Sequence, residues 1–594
     1  GGSVGGDPGA AQKLDSITNP VIDWAYGSYS LGNDALSTPI ANLENQINVE
    51  AGAEDRCAGD SLFAFIVQQD SNDHSHLRIV EGEDAEIAWT VDLGETELVK
   101  SSPVLTDINQ DGLLEVLLAY DMSGSMIVKA YSPILECGIT GWSPGGAHAD
   151  ELLWTWTDSS LAISRPSPSP SVSISGHRPT TQVLLADVDT DETHEAIIAV
   201  WNDVEERIEV IALDLEMSAP SDPLWAAVLD QGTHPSDPAY VQTDSSTGHV
   251  LITTTDSSTG AIWLWKLDGS NGNEAWSPRT MGNTDGDTNV PHLRLPGPVL
   301  ANLDSDPALE VIVTIPTDLG GTGNADGAEF RALEVTDGQT ELWSFNAIDG
   351  YADAPPLPVD TDQDGIFDYL CWVTWTMTSE SFTQERSGFA GCHDVNQTIP
   401  ALEWSRNLDL VNSEGVLNDE IAVAPPAIMD INNNGPPELI VAFGRGLHAF
   451  DGASGSPNGA DSNWSEPIEV PHRTWSEVVF ADMNGDATYD AVLGTVSISE
   501  GNIDIRPLND GRSIIFDPSE PNPGEDISIT AFYENSGNIP SDESVDAVLY
   551  ANGIEIARNR AESMEPAAPT GDGSDASFQA TWSGGLGNHA FRLV

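Results

Sequence analysis

Basic residues are scarce in this chain of 594 residues. Lysine and arginine number 21 against 95 aspartates and glutamates, and only four lysines occur, so the formal net charge at pH 7 is −74. Contacts with phosphate groups need a basic surface, which excludes nucleic acid as a partner and disfavours anionic membranes. Such an acidic chain repels itself unless salt or bound cations screen the charge. We therefore expect a salty or calcium-rich milieu, such as that of a halophilic archaeon or a marine organism.

Long hydrophobic segments are missing as well. The longest apolar runs, such as residues 113–120, have the length of a strand, whereas a membrane helix needs roughly 18 to 20 apolar residues. We expect no membrane insertion. Residues 1–20 carry no signal peptide and are expected to form the flexible start of a processed chain. The predicted location is extracellular or at the cell surface.

Cysteine occurs only four times. Cys371 and Cys392 fall in predicted neighbouring strands of one repeat, and Cys57 and Cys137 fall in loops of consecutive repeats. Two disulfides are expected in an oxidising compartment, with four buried free thiols as the alternative. No paired cysteine or histidine spacing indicates a zinc site.

An internal repeat decides the predicted fold. Eight short apolar segments recur, most of them followed by a loop rich in Asp and Asn and then by a second apolar strand. These segments are residues 38–42, 102–106, 182–186, 239–243, 297–301, 355–359, 425–429 and 477–481. A tryptophan ends most units: Trp89, Trp154, Trp225, Trp276, Trp343, Trp404 and Trp464. A period of about 50 to 80 residues gives four strands per unit, which predicts the blades of a β-propeller, with a solenoid as the weaker alternative.

The two ends of the repeat complement each other. Residues 21–24 resemble an outermost strand that precedes the first unit, whereas the last unit, residues 475–508, has no closing tryptophan. If the N-terminal strand completes the last blade, residues 21–512 form a closed all-β propeller of eight blades. Seven blades is the alternative, because the unit at residues 231–283 is degenerate.

Six loops carry oxygen-bearing side chains at their first, third, fifth and ninth positions. They are Asp107/Asn109/Asp111/Glu115, Asp187/Asp189/Asp191/Glu195, Asn302/Asp304/Asp306/Glu310, Asp360/Asp362/Asp364/Asp368, Asp430/Asn432/Asn434/Glu438 and Asp482/Asn484/Asp486/Asp490. Calcium takes six to eight oxygen ligands, so this spacing predicts up to six structural Ca²⁺ ions. Simple polar turns are the alternative, since Asp and Asn favour turns. The first unit (Asn42, Glu44, Gln46) and the fourth (residues 244–248) depart from the pattern and are expected to bind no metal.

These loops and their flanking strands resemble the FG-GAP repeats of integrin-α-like propellers over residues 21–510. The resemblance implies that Ca²⁺ stabilises each blade. Residues 447–455 and 264–269 also resemble repeats of quinoprotein (PQQ-type) propellers. Neither a vicinal cysteine pair nor a cluster of basic residues that would bind the quinone occurs.

From residue 513 the pattern changes to plain alternation. Six short segments separated by turn residues predict a β-sandwich over residues 513–594. Residues 517–524, 533–537 and 550–553 resemble the CARDB family of immunoglobulin-like surface modules. The resemblance implies a stalk or spacer domain.

The sequence favours a non-catalytic role. The histidines are scattered, no catalytic triad can be assembled, and the same loop residues recur in six of the eight units, whereas catalysis needs an asymmetric site. We expect an adhesion, ligand-binding or surface-assembly module whose partner is a cell-surface protein, a glycan or another copy of the chain. One alternative is a polysaccharide-active enzyme of the lyase type. Another is a structural subunit of a surface layer or filament.

Overall fold

The computed structural model describes β-strands and turns but no α-helix. The described residues are 20–25, 38–43, 46, 62–69, 74–82, 87–95, 99, 101–121, 126–135, 152–157, 177–179, 181–191, 193–202, 205–215, 223–244, 247–256, 259–283, 295–304, 306, 308–317, 327–347, 350, 352, 354–361, 364–377, 386–408, 411–412, 415–416, 424–431, 437–444, 446–452, 454–456, 467–470, 477–483, 488–493, 496–500, 505–507, 514–517, 527–535, 545–551, 554–561, 576–582 and 591–593. Among them, none belongs to a helix that is long and apolar enough to cross a membrane. The predicted segment 1–20 lies outside these residues except for Pro20. The chain divides into two compact units, Gly1–Thr18 with Ala25–Val496, and Asn19–Trp24 with Ser497–Val594.

Eight sheets follow one another along the described part of residues 20–500. Strand β1 is Pro20–Ala25. Sheet 1 contains β2 (Ile40–Ala41), β3 (Phe63–Gln69), β4 (His74–Glu81) and β5 (Ile87–Glu95). Sheet 2 contains β6 (Val104–Thr106), β7 (Glu115–Asp121), β8 (Met126–Tyr131) and β9 (Leu152–Thr157). Sheet 3 contains β10 (His177–Pro179), β11 (Leu184–Ala186), β12 (Glu195–Asn202), β13 (Arg207–Asp214) and β14 (Trp225–Leu229). Sheet 4 contains β15 (His234–Pro235), β16 (Ala239–Asp244), β17 (Thr247–Thr255), β18 (Ala261–Asp268) and β19 (Arg279–Asn283).

The remaining sheets of this series have the same make-up. Sheet 5 contains β20 (Val299–Ala301), β21 (Glu310–Thr317), β22 (Gly327–Glu334) and β23 (Glu341–Asn346). Sheet 6 contains β24 (Leu357–Val359), β25 (Tyr369–Met377), β26 (Arg386–Asp394) and β27 (Ala401–Asn407). A small hairpin of β28 (Val411–Asn412) and β29 (Gly415–Val416) follows. Sheet 7 contains β30 (Ala427–Met429), β31 (Glu438–Phe443), β32 (Gly446–Asp451) and β33 (Ile468–Glu469). Sheet 8 contains β34 (Val478–Ala481), β35 (Asp490–Leu493) and β36 (Val496–Glu500), with the order β1-β36-β35-β34.

Sheets 1 to 7 each contain a meander of four sequential strands, to which sheets 3 and 4 add the short β10 and β15, whereas sheet 8 combines the sequential β34, β35 and β36 with the N-terminal β1. We number the four strands from first to fourth, so β11 and β16 are the first strands of sheets 3 and 4. The eight apolar segments predicted as first strands are confirmed, and second strands begin at the predicted Glu115, Glu195, Glu310 and Glu438. The second strands are apolar without alternation because both of their faces are buried.

The predicted tryptophans mark the fourth strands in sheets 1, 2, 3, 5 and 6, at Trp89, Trp154, Trp225, Trp343 and Trp404. Trp276 is an exception and lies before β19, which begins only at Arg279. Pro278 precedes that strand and has no amide to donate to a sheet ladder. Trp464 lies outside the described residues.

Consecutive sheets pack face to face. Shared clusters of buried apolar side chains join sheets 1 and 2, 2 and 3, 3 and 4, 4 and 5, 5 and 6, and 6 and 7. Burial of such surfaces, at roughly 25 cal/mol per Å² of apolar area, is the main stabilising contribution. The sheets therefore stabilise one another as a series.

Tryptophans of the fourth strands also bind the next sheet. The indole Nε1 of Trp225 donates to the carbonyl oxygen of Gly269 at 2.5 Å, and that of Trp404 to Gly452 at 2.8 Å. Gly272 and Gly455 lie against these two rings with φ of +68° and +61°. Only glycine has both the freedom for this φ and the space beside the indole.

Cys371 and Cys392 form a disulfide between directly opposed positions of β25 and β26. This part of the cysteine prediction is confirmed, and the free-thiol alternative is wrong for this pair. Cys57 and Cys137 lie outside the described residues, so their pairing stays a prediction.

The C-terminal strands form two sheets around a small core. They are β37 (Ile505–Pro507), β38 (Ile514–Asp517), β39 (Ile527–Asn535), β40 (Val545–Ala551), β41 (Ile554–Ala561), β42 (Ala576–Trp582) and β43 (Phe591–Leu593). One sheet has the order β37-β39-β38, with β42 also paired to β39, and the other has the order β41-β40-β43. The core contains Ile529 from the first sheet and Leu549 from the second. All six predicted strands are present, and β37, which precedes the predicted boundary at residue 513, pairs with β39.

Candidate metal sites

One hydrogen bond from a backbone amide to a side-chain carboxylate recurs in all six predicted loops. Each loop follows a first strand, and its ninth residue begins or directly precedes the second strand. The amide of the second position donates to the carboxylate of the ninth. The pairs are Ile108–Glu115 at 2.8 Å, Val188–Glu195 at 2.8 Å, Leu303–Glu310 at 2.7 Å, Thr361–Asp368 at 2.8 Å, Ile431–Glu438 at 2.9 Å and Met483–Asp490 at 2.7 Å. The bond holds the ninth carboxylate beneath the loop, and five of the six carboxyl residues are at most 1% exposed, Asp368 being the exception.

The loop backbone is curled by its own acidic side chains. In sheet 2, Asp107 accepts from the amides of Asp111 at 3.0 Å and Gly112 at 2.9 Å. The fourth position is left-handed in sheets 2 and 3, at Gln110 (φ 58°) and Thr190 (φ 67°). Non-glycine residues rarely adopt this conformation, and such strain is concentrated at functional sites.

The loop of sheet 3 brings together a set of carboxylates suited to a cation. Asp187, Asp189 and Glu195 each offer an oxygen within 4.8 Å of the others. The Oδ1 atom of Asp189 and the Oε1 atom of Glu195 are buried without a hydrogen-bond partner. Burial, reinforced by the neighbouring aspartates, raises the pKa of Glu195 to about 8. Buried carboxylate oxygens without donors are costly unless a cation binds them, so these residues fit a metal ion.

Sheet 5 has a similar set with a different composition. Asn302 Oδ1 and Glu310 Oε1 are buried without a partner, and burial raises the pKa of Glu310 to about 7, with contributions from nearby carboxylates. The three carboxylates within 4.8 Å of one another are Asp304, Asp306 and Glu334. Glu334 ends β22 and was not among the residues predicted from the sequence.

Two further loops satisfy the ninth carboxylate with protein donors. In sheet 2, Glu115 also accepts from Asn109 Nδ2 at 3.4 Å, and burial raises the pKa of Glu115. In sheet 6, Asp368 accepts from the Thr361 hydroxyl at 2.6 Å and from Asn396 Nδ2 at 2.7 Å. These two loops therefore present fewer unpaired oxygens than those of sheets 3 and 5.

The other predicted ligands are described only in part. Asp111, Asp191, Asp360, Asp364, Asp430 and Asp482 lie in their loops as expected. Asp362, Asn432, Asn434, Asn484 and Asp486 lie outside the described residues, so their roles stay predictions.

Residues of the first unit and of sheet 4, whose own loops depart from the ligand pattern, contact the predicted loops of sheets 2 and 3. Gln46 of the first unit is buried. Its Nε2 donates to the carbonyl oxygens of Leu114 and Pro133 at 3.0 Å each, and its Oε1 accepts from the Leu114 amide at 2.9 Å. In sheet 4, the hydroxyl of Tyr240 donates to the carbonyl oxygen of Asp187 at 2.7 Å. Gln46 thus stabilises the loop of sheet 2 by hydrogen bonds, and Tyr240 stabilises the loop of sheet 3 in the same way.

No family model matches the chain, and no curated protein matches it. Among solved structures, the V. cholerae biofilm matrix protein Bap1 overlaps 82% of this chain and 91% of its own, with 12% identity and a TM-score of 0.42. The Dos1 propeller overlaps 78% and 95%, with 10% identity and a TM-score of 0.35. The Pseudomonas aeruginosa PilY1 C-terminal domain overlaps 87% and 97%, with 12% identity and a TM-score of 0.33. Similarities of this size carry no inference about function, and the FG-GAP and CARDB resemblances stay predictions.

Proposed function

We propose that residues 21–512 form a closed, eight-bladed β-propeller of the FG-GAP type that binds up to six structural Ca²⁺ ions. In this proposal an immunoglobulin-like domain of the CARDB type follows over residues 513–594. Seven successive four-strand meanders, an eighth sheet in which β1 lies beside β36, and the buried clusters shared by neighbouring sheets support the propeller.

The observation that carries the calcium proposal is the repeated geometry of the loops. Six loops place a carboxylate under the second-position amide. In sheets 3 and 5 that carboxylate keeps a buried oxygen with no protein donor. Calcium prefers oxygen ligands from carboxylates and amides, and extracellular calcium modules bind with dissociation constants of about 10⁻⁴ to 10⁻³ M.

The role we propose is that of a non-catalytic adhesion, ligand-binding or assembly module outside the cell. The Cys371–Cys392 disulfide suits an oxidising compartment, and the charge of −74 suits a medium rich in salt or calcium. The same arrangement recurs from sheet to sheet, as expected of sites that stabilise blades rather than of one asymmetric catalytic centre.

Thermal unfolding with calcium, with magnesium and with EDTA at one moderate salt concentration tests the calcium proposal. A ligand at ten times its dissociation constant stabilises the native state by about 1.4 kcal/mol per site, so calcium is expected to raise the Tm strongly. Magnesium, which demands smaller octahedral sites, is the control and is expected to do less. An unchanged Tm in EDTA would contradict the calcium proposal.

Glycan-array binding and light scattering of the calcium-loaded chain test the proposed role. Binding to a defined glycan or reversible self-association supports it. Turnover of a polysaccharide would instead support the enzyme alternative, and regular filaments or sheets would support a structural subunit.

A further inference from the structure

The third strand ends in an acidic residue in seven of the eight sheets. These residues are Glu81, Asp214, Asp268, Glu334, Asp394, Asp451 and Glu500. In sheets 4, 6 and 7 the side chain caps the following turn. The amides of Ser270, Asn396 and Ser454 donate to Asp268, Asp394 and Asp451 at 3.0, 3.0 and 2.7 Å, respectively.

Sheet 5 caps this turn with a different residue. Asp337 accepts from the amides of Gln339 at 2.7 Å and Thr340 at 2.9 Å, and from the Thr340 hydroxyl at 2.7 Å. Glu334 is therefore not needed for the turn. Its carboxylate lies instead with those of Asp304 and Asp306, within 4.8 Å of both. Burial, followed by the charges of Asp306 and Asp304, raises the pKa of Glu334.

The residue at the first position of the sheet 5 loop lowers the number of carboxylates that the loop can offer to a cation. Asn302 is neutral, and its Nδ2 donates to the carbonyl oxygen of Gly365 in the loop of sheet 6 at 3.1 Å. The main-chain carbonyl oxygen of Asn302 accepts a hydrogen bond from the backbone amide of Phe367 at 2.9 Å. An aspartate at this position would have no hydrogen to donate to Gly365. The loop of sheet 3 contributes four carboxylates, whereas Asn302 leaves the loop of sheet 5 with three.

Two further atoms indicate a bound cation in sheet 5. Glu310 is 0% exposed, and its Oε1 has no hydrogen-bond partner. The buried Oδ1 of Asn302 has none either, while the Nδ2 of the same side chain donates to sheet 6. Both belong to side chains of the same loop that holds Asp304 and Asp306.

We propose that the carboxylate of Glu334 is a ligand of the cation in sheet 5 and supplies the charge that Asn302 lacks. This inference rests on the proposed calcium function and assigns to that site a ligand outside the loop. With Asn302, Asp304, Asp306 and Glu310, Glu334 brings the side chains to five and the carboxylates to four. Calcium binds carboxylates through one or both oxygens and binds more tightly as their charge count rises.

Crystals of the full chain grown without calcium and soaked across a calcium series test the assignment. The wild type is expected to show an ion in sheet 5 with a Glu334 oxygen at about 2.3 to 2.6 Å. In Glu334→Gln, the calcium concentration for half occupancy in sheet 5 is expected to rise at least about tenfold. Occupancy in sheet 3 is the internal reference and is expected to stay unchanged.

Asp268→Asn is the matched control. It removes one negative charge from the same strand-end position in sheet 4, whose loop lacks the metal pattern, and its amide oxygen can still cap the turn. It is expected to leave the occupancy in sheet 5 unchanged. Glu334→Asp, which keeps the charge but shortens the side chain, is the second variant and is expected to weaken binding less than Glu334→Gln.

The outcomes separate this inference from the proposed function. An ion in sheet 5 that Glu334 does not touch, with equal occupancy curves for wild type and Glu334→Gln, would overturn the assignment and leave the calcium proposal intact. A parallel rise of the half-occupancy concentration in sheets 3 and 5, or an equal effect of Asp268→Asn, would also overturn it, because the effect would then be general electrostatics. Loops that bind no calcium at all would overturn the proposed function itself.

Discussion

The backbone amide of Leu62 donates a hydrogen bond to the carbonyl oxygen of Met483 at 3.0 Å. Leu62 directly precedes β3 of sheet 1, and Met483 is the second residue of the loop in sheet 8. The carbonyl oxygen of Val188, at the equivalent position of sheet 3, lies against Gly248 and Gly269 of sheet 4. Sheets 8 and 1 thus meet through the same loop position as sheets 3 and 4, which supports a closed ring.

Gly82→Ala is predicted to destabilise the protein by about 1 to 3 kcal/mol, because the added Cβ would overlap the carbonyl oxygen of Met483. Gly269→Ala is the matched variant, since its Cβ would overlap the carbonyl oxygen of Val188 in the same way. Chemical denaturation measures both. A stable Gly82→Ala beside a destabilised Gly269→Ala would argue against ring closure.

Glu195→Gln is predicted to have opposite consequences with and without calcium. Burial raises the pKa of Glu195 to about 8, so ionising this carboxyl costs free energy unless a cation is bound. In EDTA at pH 8 the variant should be at least as stable as the wild type. In calcium it should be less stable, by roughly 1 to 3 kcal/mol. Equal losses in the two buffers would assign Glu195 a purely structural role, and the exposed Glu205→Gln serves as the control.

Trp404→Phe is predicted to cost about 1 kcal/mol more than Trp154→Phe. Both indoles are buried on fourth strands, but Trp404 Nε1 donates to Gly452, whereas Trp154 Nε1 has no hydrogen-bond partner. The loss of ring volume is common to both variants, so the difference in unfolding free energy reports the hydrogen bond. Equal costs would mean that this bond adds nothing to the contact between sheets 6 and 7.

The buried His393 is predicted to reduce stability as the pH falls from about 6.5 to 4. Burial lowers its pKa to about 4, and its Nδ1 accepts from Trp372 Nε1 at 3.0 Å. Between these pH values the unfolded state binds the proton and the folded state does not, so acid favours unfolding, by on the order of 3 kcal/mol in total. His393→Gln keeps an acceptor and should lose less stability over this window. Parallel pH curves for the two proteins would show that carboxylates alone cause the acid sensitivity.

Much of the fold could be predicted from the sequence. The eight first strands, the starts of the second strands at Glu115, Glu195, Glu310 and Glu438, and the six C-terminal strands all depend on local apolar pattern and turn residues. The Cys371–Cys392 pair was also predictable, because both residues fall in adjacent strands of one repeat. Strand β37 was not predicted, because a strand of three residues is too short to show an alternation of apolar and polar side chains.

The site was predictable only as a set of loop side chains. Glu334 faces Glu310 across the second and third strands of sheet 5, and Asp214 faces Glu195 in the same way in sheet 3. The two residues of the first pair are 24 residues apart in the sequence, whereas those of the second pair are 19 apart. The spacing varies with hairpin length, so no fixed motif connects the third strand to the loop. The hydrogen bonds from the second-position amides could not be predicted for another reason. Every residue except proline has a main-chain amide, so the identity of the second residue does not indicate such a bond.

The sequence by itself determined the all-β class, the repeat, the order of the strands and the six oxygen-rich loops, because these depend on the chemistry of neighbouring residues. Only the tertiary structure decided which polar atoms of the described loops are satisfied by protein donors and which are buried without one. Gln46, Asn302 and Glu334 show the difference, since their partners lie in another loop or on another strand. Strand register and sheet packing bring those partners together, and neither can be read from local spacing.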